Sequence, residues 1–568
     1  MLHKISKLLS LMTLLFLFAA CTGNEPVKEG EGAKIIGTVT YDRVPVKVDS
    51  FGTAQLNYAK TYPGTGKHLV VKAIDENSQT LAQTTTNNLG QYTLYVPENT
   101  AVKIRVYARM FKEGAWDLSV VDNTNLKSNY VIEGDFHDSG TQTTKIDLHA
   151  ASGWDGQAYS MPRDAAPFAI LDSINTIMQK IVQASPDIKF PHLLINWSVN
   201  NVSVGGDPSL GQIGTSSYTA HDGNMWILGD ANADTDEYDD HIIIHEWSHF
   251  FEDKFSRSDS IGGSHSSGDA LDIRVAFGEG FANAMSAIAT DNPIYFDTSG
   301  YAQSSGWYMN IETAQPENPG WFSEASIQRI LYDLYDDNSH SHADGDHAHL
   351  GFKPIFNTMV DKERNAKAFT SIFTFIHALK NENPSKQTMI DQTVASEQIN
   401  TIHDIYGNYR SNTANGHYTQ PLYRTLETGK WITQCNKNNY GVYNKLGNRT
   451  YVKISIPSDG VYTFGAKPYG SSYGDPDLVL YETGYPYEIK GMSPLEGESS
   501  DSLTMDLKAG NYMLEVYDNS FQNSCFVINL DKGYSNTTYM GKMTKGSGAS
   551  KPIFNNQRRP LLRPIEKQ

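Results

Sequence analysis

The stretch His241–Glu252, HIIIHEWSHFFE, constrains this chain more than any other. Placed about 100° apart on a helical wheel, Ile243, Ile244, Trp247, Phe250, Phe251 and Phe255 share one arc, and His245 and His249 lie opposite. Residues i and i+4 of a helix occupy one face, so both imidazoles reach a single metal ion while Glu246 stands beside them. Asp239 or Asp240 is placed to cap the helix start. The bland alternative, two surface histidines, leaves the glutamate on the same open face without a reason.

A metal site with a coordination position left for chemistry needs three protein ligands. A third histidine at the spacing H-E-x-x-H-x-x-G-x-x-H is excluded, because Glu252 stands at the glycine and Phe255 at the last histidine. Further on, Val275–Ala284, VAFGEGFANA, is a small-residue segment able to pack closely on the first helix, and it offers Glu279. Glu252, Asp269 and Asp272 are the alternatives. Two histidines and a carboxylate suit Zn²⁺.

H-E-x-x-H followed by a glutamate on a later segment resembles the gluzincin metallopeptidases. The resemblance implies an α+β zincin-like catalytic domain in which His245, His249 and Glu279 hold Zn²⁺ and Glu246 is the general base toward water. In the thermolysin-like branch an acidic residue four positions after the ligand glutamate orients a ligand histidine. Asn283 stands there in this chain, able to accept from an imidazole but bringing no charge. The stretch SRSDSIGGSHSSGDALDIRVAFGEGFANA is similar to one in bacterial H-E-x-x-H lipoproteins with a regulatory-like domain, the likeness extending over Leu193–Ala289. By the same resemblance, Met225–Leu228 is the strand ahead of the helix that binds extended substrate by strand addition. The G-x-M-E-N signature of one-domain aminopeptidases is missing, which favours an endopeptidase. His265, Tyr301 and Tyr308 are candidates for oxyanion stabilisation.

At 568 residues the chain exceeds one core. Short strand-like runs before residue 110, including GTVTYD and KIRVYARM, are similar to a carboxypeptidase regulatory-like β-sandwich, taken as 34–150 with 111–150 an irregular continuation. Helical periodicity then marks 151–430 as the catalytic body. Short alternating runs return over 435–532, where DPDLVLYETG and LKAGNYMLEVYDN resemble the pre-peptidase C-terminal domain. The expected fold is therefore multidomain, an α+β zincin-like domain flanked by two β-sandwich domains, with 533–568 a disordered basic tail. Cys435 and Cys525 are expected to form a disulfide. Residues 230–240, DANADTDEYDD, carry six carboxylates and no base, read as a solvated turn or a calcium site. The loop bearing His340, His342, His347 and His349 is read as a surface loop.

Lys4 and Lys7, an apolar run from Leu8 to Phe18 and Ala19-Ala20 before Cys21 have the layout of a secretory signal. Small residues before a cysteine resemble the lipobox of bacterial lipoproteins, which implies a lipidated Cys21 as membrane anchor, 21–33 as tether and, with Thr22 next, the outer membrane. A net charge of −18 argues against a nucleic-acid partner. The expected partners are thus a protein or peptide substrate and the membrane. A non-enzymatic adhesin or glycan-binding protein on a zincin scaffold, or a zinc hydrolase acting on another bond, are the rival readings.

Overall fold

The computed structural model describes residues 27–533, apart from 29, 51, 337–348, 409–421, 471–472, 485–486 and 494–499. The signal, Cys21, the basic tail, His340, His342 and His347 lie outside the described residues. The architecture is mixed α/β and multidomain, with a helical central region between β-sheet regions.

The first long strand, Ala33–Arg43, AKIIGTVTYDR, buries every second residue, as period-2 side chains on a half-covered sheet must. It pairs antiparallel with Gln91–Val96 and Tyr62–Thr65 and parallel with Thr144–Lys145 and Leu148–Ala150. The larger sheet runs in the order Ser217–Thr219, Asn224–Ile227, Leu193–Trp197, Trp116–Asp122, Ala101–Lys112, Leu69–Ile74, Thr80–Thr85.

This sheet departs from the sequence reading in two ways. Trp116–Asp122, inside the stretch read as irregular, is a strand that pairs parallel with Leu193–Trp197. The sheet thereby crosses the boundary expected at 150/151, and one hydrophobic core contains Ile35, Val106, Val120, Ile195 and Trp247 alike. The strand containing Met225 is not an edge either, since it has a neighbour on both sides. The edge is Ser217–Thr219.

Seven α-helices are described: α1 (Ala166–Ala184), α2 (Asp240–Phe255), α3 (Ile273–Thr290), α4 (Glu324–Tyr335), α5 (Phe352–Asn357), α6 (Ile372–Glu382) and α7 (Gln387–Ser396). Asp239 is the N-cap residue of α2, yet its carboxylate accepts from Thr298 N at 2.7 Å rather than from the helix. Helix α6 starts at Ile372, where Ser371 and Thr374 form a capping box. Small residues let α3 lie close to both neighbours. A Cβ on Gly280 would stand 2.6 Å from Ile327 Cβ and 2.8 Å from Glu324 O of α4, and one on Gly278 3.5 Å from Glu252 Oε2 of α2.

Beyond residue 422 two sheets enclose a second core that includes Val452, Phe464, Leu480, Leu514 and Ile528. Cys435 and Cys525 are directly opposed on the antiparallel strands Lys430–Asn436 and Ser524–Lys532 and are joined as a disulfide. A buried ionic network ties this unit to the start of α3. Arg274 reaches both Glu515 oxygens at 3.0 Å and Asp272 Oδ1 at 3.0 Å, Arg449 adds a second pair to Glu515, and the Tyr451 and Tyr481 hydroxyls donate to Asp272 and Glu515. Burial alone would raise the Glu515 carboxyl, but the two guanidiniums hold it well below the usual range. No helix among the described residues is long and apolar enough to cross a membrane.

Candidate metal centre

Helix α2 is enclosed on most sides. Trp247 packs against Phe190, and Phe251 against Phe281 of α3 and Phe356 of α5, so the apolar arc is buried as its spacing requires. The polar side is nearly as covered, with His245 4 % and Glu246 1 % exposed; His249 is the more accessible ring. Such polar groups tolerate burial only when each is paired.

The pairing is dense. Glu279 Oε2 lies 3.2 Å from His245 Nε2 and 3.5 Å from His249 Nε2, and the two Nε2 atoms are 3.1 Å apart. His245, His249 and Glu279 each offer one ligand atom, all within 4.8 Å of one another, so this group can hold a metal ion. The far ring nitrogens are engaged as metal-binding histidines require: His245 Nδ1 donates to Asn283 Oδ1 at 2.7 Å, and His249 Nδ1 faces Glu252 Oε2 at 3.3 Å. Both contacts leave Nε2 directed at Glu279. Burial disfavours the charged His249 ring, but Glu279, Glu252 and Glu246 outweigh it and raise its pKa to about 10. Burial pushes the Glu252 carboxyl up to about 7 against the pull of His249.

Glu246 accepts from the backbone N–H of Tyr218 through Oε2 at 2.8 Å and turns Oε1 toward His245 Nε2, 4.0 Å away. The edge strand Ser217–Thr219 thus fixes the carboxylate beside the ligand cluster. His265 Nδ1 is 2.7 Å from Glu324 Oε2 and its Nε2 3.3 Å from Glu279 Oε2. Tyr301 and Tyr308, the other oxyanion candidates, are exposed at 65 % and 41 %.

Of the alternative third ligands, Glu252 reaches His249 Nδ1, the nitrogen away from the cluster. Asp269 pairs with Lys445 at 3.2 Å, and Asp272 belongs to the Arg274 network. Sequence reasoning did not find Tyr218, Glu324 or Gln328, whose Oε1 takes the Asn283 amide at 2.9 Å. No motif marks them, because one acts through its backbone and the others through contacts between α3, α4 and the segment before α3. His349 is bonded to the Asp336 carbonyl. The acidic stretch 230–240 is largely buried, not a solvated turn, and Asp234, Asp236 and Asp297 form a second group of carboxylates able to hold an ion.

No family model and no curated protein matches the chain. Among solved structures, the pre-peptidase C-terminal domain of a Bacillus anthracis collagenase aligns at 9 % identity and TM-score 0.16, covering 19 % of this chain and 93 % of that one. A carbohydrate-binding module of a Cellvibrio mixtus lichenase, in complex with cellotriose, aligns at 17 % identity and TM-score 0.12, covering 19 % and 89 %. The M60 catalytic domain of ZmpC from Clostridium perfringens, in complex with the sialyl T antigen, aligns at 11 % identity and TM-score 0.21, covering 87 % of this chain and 92 % of that one. None of these scores reaches the level at which a shared fold is read, and the metal centre rests on its own geometry.

Proposed function

We propose that this chain is an exported, lipid-anchored zinc metallopeptidase of gluzincin type, an endopeptidase acting on protein or peptide substrates. The observation that carries the reading is the convergence of His245, His249 and Glu279 with Glu246 locked beside them. The donor set, two imidazoles with oriented outer nitrogens and one carboxylate, fits Zn²⁺.

Zn²⁺ held there supplies Lewis-acid polarisation of a scissile carbonyl and acidifies a water molecule. The chain's own groups do the rest. Tyr218 N–H anchors Glu246 Oε2, leaving Oε1 toward the cluster to take the proton of the attacking water and return it to the departing amine. His265, held by Glu324 through Nδ1, brings its Nε2 to 3.3 Å from Glu279 Oε2 at the ligand cluster, in reach to donate to the oxygen on which charge develops. The strand containing Met225 has a neighbour on both sides, so an extended substrate has no free edge there to add to. Anchoring through Cys21 at the outer membrane belongs to the same proposal and rests on the sequence before residue 27.

The test is Glu246→Gln. The variant should keep the zinc content and melting temperature of wild type, yet lose hydrolysis of a denatured protein mixture by at least about 10²–10⁴, the range for one general base. Loss below tenfold would assign the proton transfer elsewhere. Wild type that holds zinc but cuts no peptide library would favour the adhesin reading.

A further inference from the structure

The metallopeptidase reading makes no use of the acidic stretch ahead of α2. Asp234 and Asp236 are 7 % and 3 % exposed, and Asp297 joins them from the strand Ile294–Asp297, one oxygen of each lying within 4.8 Å of the others. Arg43 and Arg163, the arginines of this region, are paired instead with Asp240 and Glu237. Few hydrogen-bond donors compensate the group: Ser216 Oγ donates to Asp236, and Trp307 Nε1 to Asp297 Oδ2 at 3.0 Å. Asp234 Oδ1 is sealed from solvent and, among the described residues, no N–H or Ser, Thr or Tyr hydroxyl donates to it. A fourth carboxylate, Asp239, adds to the negative field and is itself held by Thr298.

Burial, reinforced for Asp234 and Asp236 by the neighbouring carboxylates, pushes those two carboxyls well above the usual range; burial raises Asp297 to about 6. Charges so placed are costly at neutral pH unless a cation neutralises them. A proton shared between Asp234 and Asp236 serves that one pair, whereas a cation takes an oxygen from all three residues. Donors that are all oxygen select a hard ion. Magnesium keeps several of its waters, while calcium accepts carboxylates in flexible geometry, which suits a site with little room for solvent.

We propose that Asp234, Asp236 and Asp297 form a second metal site, for calcium, that ties the entry of α2 to the hairpin Ile294–Asp297 and Trp307–Asn310. Tyr295 of that hairpin lies against the rings of His241 and His245, at 5.5 Å and 6.4 Å between centroids. The ion therefore fixes a wall of the His245 site without entering it. This inference does not depend on the peptidase reading.

Terbium, which occupies calcium sites and emits when a nearby indole is excited, is the probe, and Trp307 is the indole. Zinc-loaded full chain titrated with Tb³⁺ should give sensitised emission that saturates at a single ion per chain and is displaced by calcium but not by equal magnesium. Calcium should raise the melting temperature of wild type. Asp234→Asn and Asp297→Asn should lose both effects with unchanged zinc content. Because each removes a repelled charge, neither should melt below calcium-free wild type, which shows that they fold. Trp307→Phe should lose most of the emission and keep the calcium-induced melting shift. Wild type without saturable emission and without a melting shift overturns the proposal, and so does an undiminished shift in both Asn variants.

Discussion

Glu279 is where the two halves of the centre meet, since its Oε2 lies within 3.5 Å of Nε2 of His245, His249 and His265. Glu279→Ala should lose zinc on dialysis against a competing chelator, whereas Asp269→Ala should keep it, because Asp269 serves Lys445. Asn283→Ala should still bind but with affinity lowered about 10–100-fold, the usual effect of removing a partner that orients a ligand ring. The local parts of this site were legible in the sequence. His245, Glu246 and His249 stand out by their spacing on one helix face, and Asn283 came only through the family resemblance, which puts an orienting residue four positions after the ligand glutamate. Tyr218 was not legible, because its contribution is a backbone N–H that any residue other than proline would supply.

At the scale of elements, α3 is a close-packed wedge between α2 and α4, and Gly280 sets its distance from α4. A methyl at this position meets Ile327 Cβ and the backbone oxygen of Glu324, and neither is the flexible end of a side chain. Gly280→Ala should therefore part the helices and lower stability by about 1–3 kcal/mol, measured by denaturant unfolding with a change in midpoint. Glu324 also holds His265, so the displacement should reduce turnover more than zinc content. Helices α1 to α4 and α6 were readable from periodicity and the shorter α5 and α7 were not, while the small residues of VAFGEGFANA announced the close approach. Trp116–Asp122 was not readable. It buries a run of residues on both faces and so shows no alternation, and its partner Leu193–Trp197 lies far along the chain.

At the scale of the whole molecule, the C-terminal β unit is joined to the helical body through charge, with Arg274 and Arg449 against Asp272 and Glu515 in a buried network. Such a network says little about net stability while intact, but removing one member strands the others without compensation. Glu515→Gln should leave two buried guanidiniums facing an amide that offers one acceptor in place of two oxygens, and it should cost about 3–5 kcal/mol at neutral pH. The sign with pH follows from the direction of the shift. The Glu515 carboxyl is held well below its ordinary 4.5 in the folded protein, so above that value it is ionised in both states and the full stabilisation is present, whereas below 4.5 the folded state binds fewer protons than the unfolded one. As pH falls below 4.5 toward the folded pKa, the wild type loses this contribution, while the Gln variant has nothing there to titrate. The stability gap between the two should therefore be widest near neutrality and narrow progressively in acid. Denaturant unfolding of both proteins across that range checks it, with zinc content as the control that the metal centre is intact. A gap that stays constant with pH would mean that the Glu515 carboxyl has the same pKa in the folded and unfolded protein, so that its charge adds nothing to the hold between the two units.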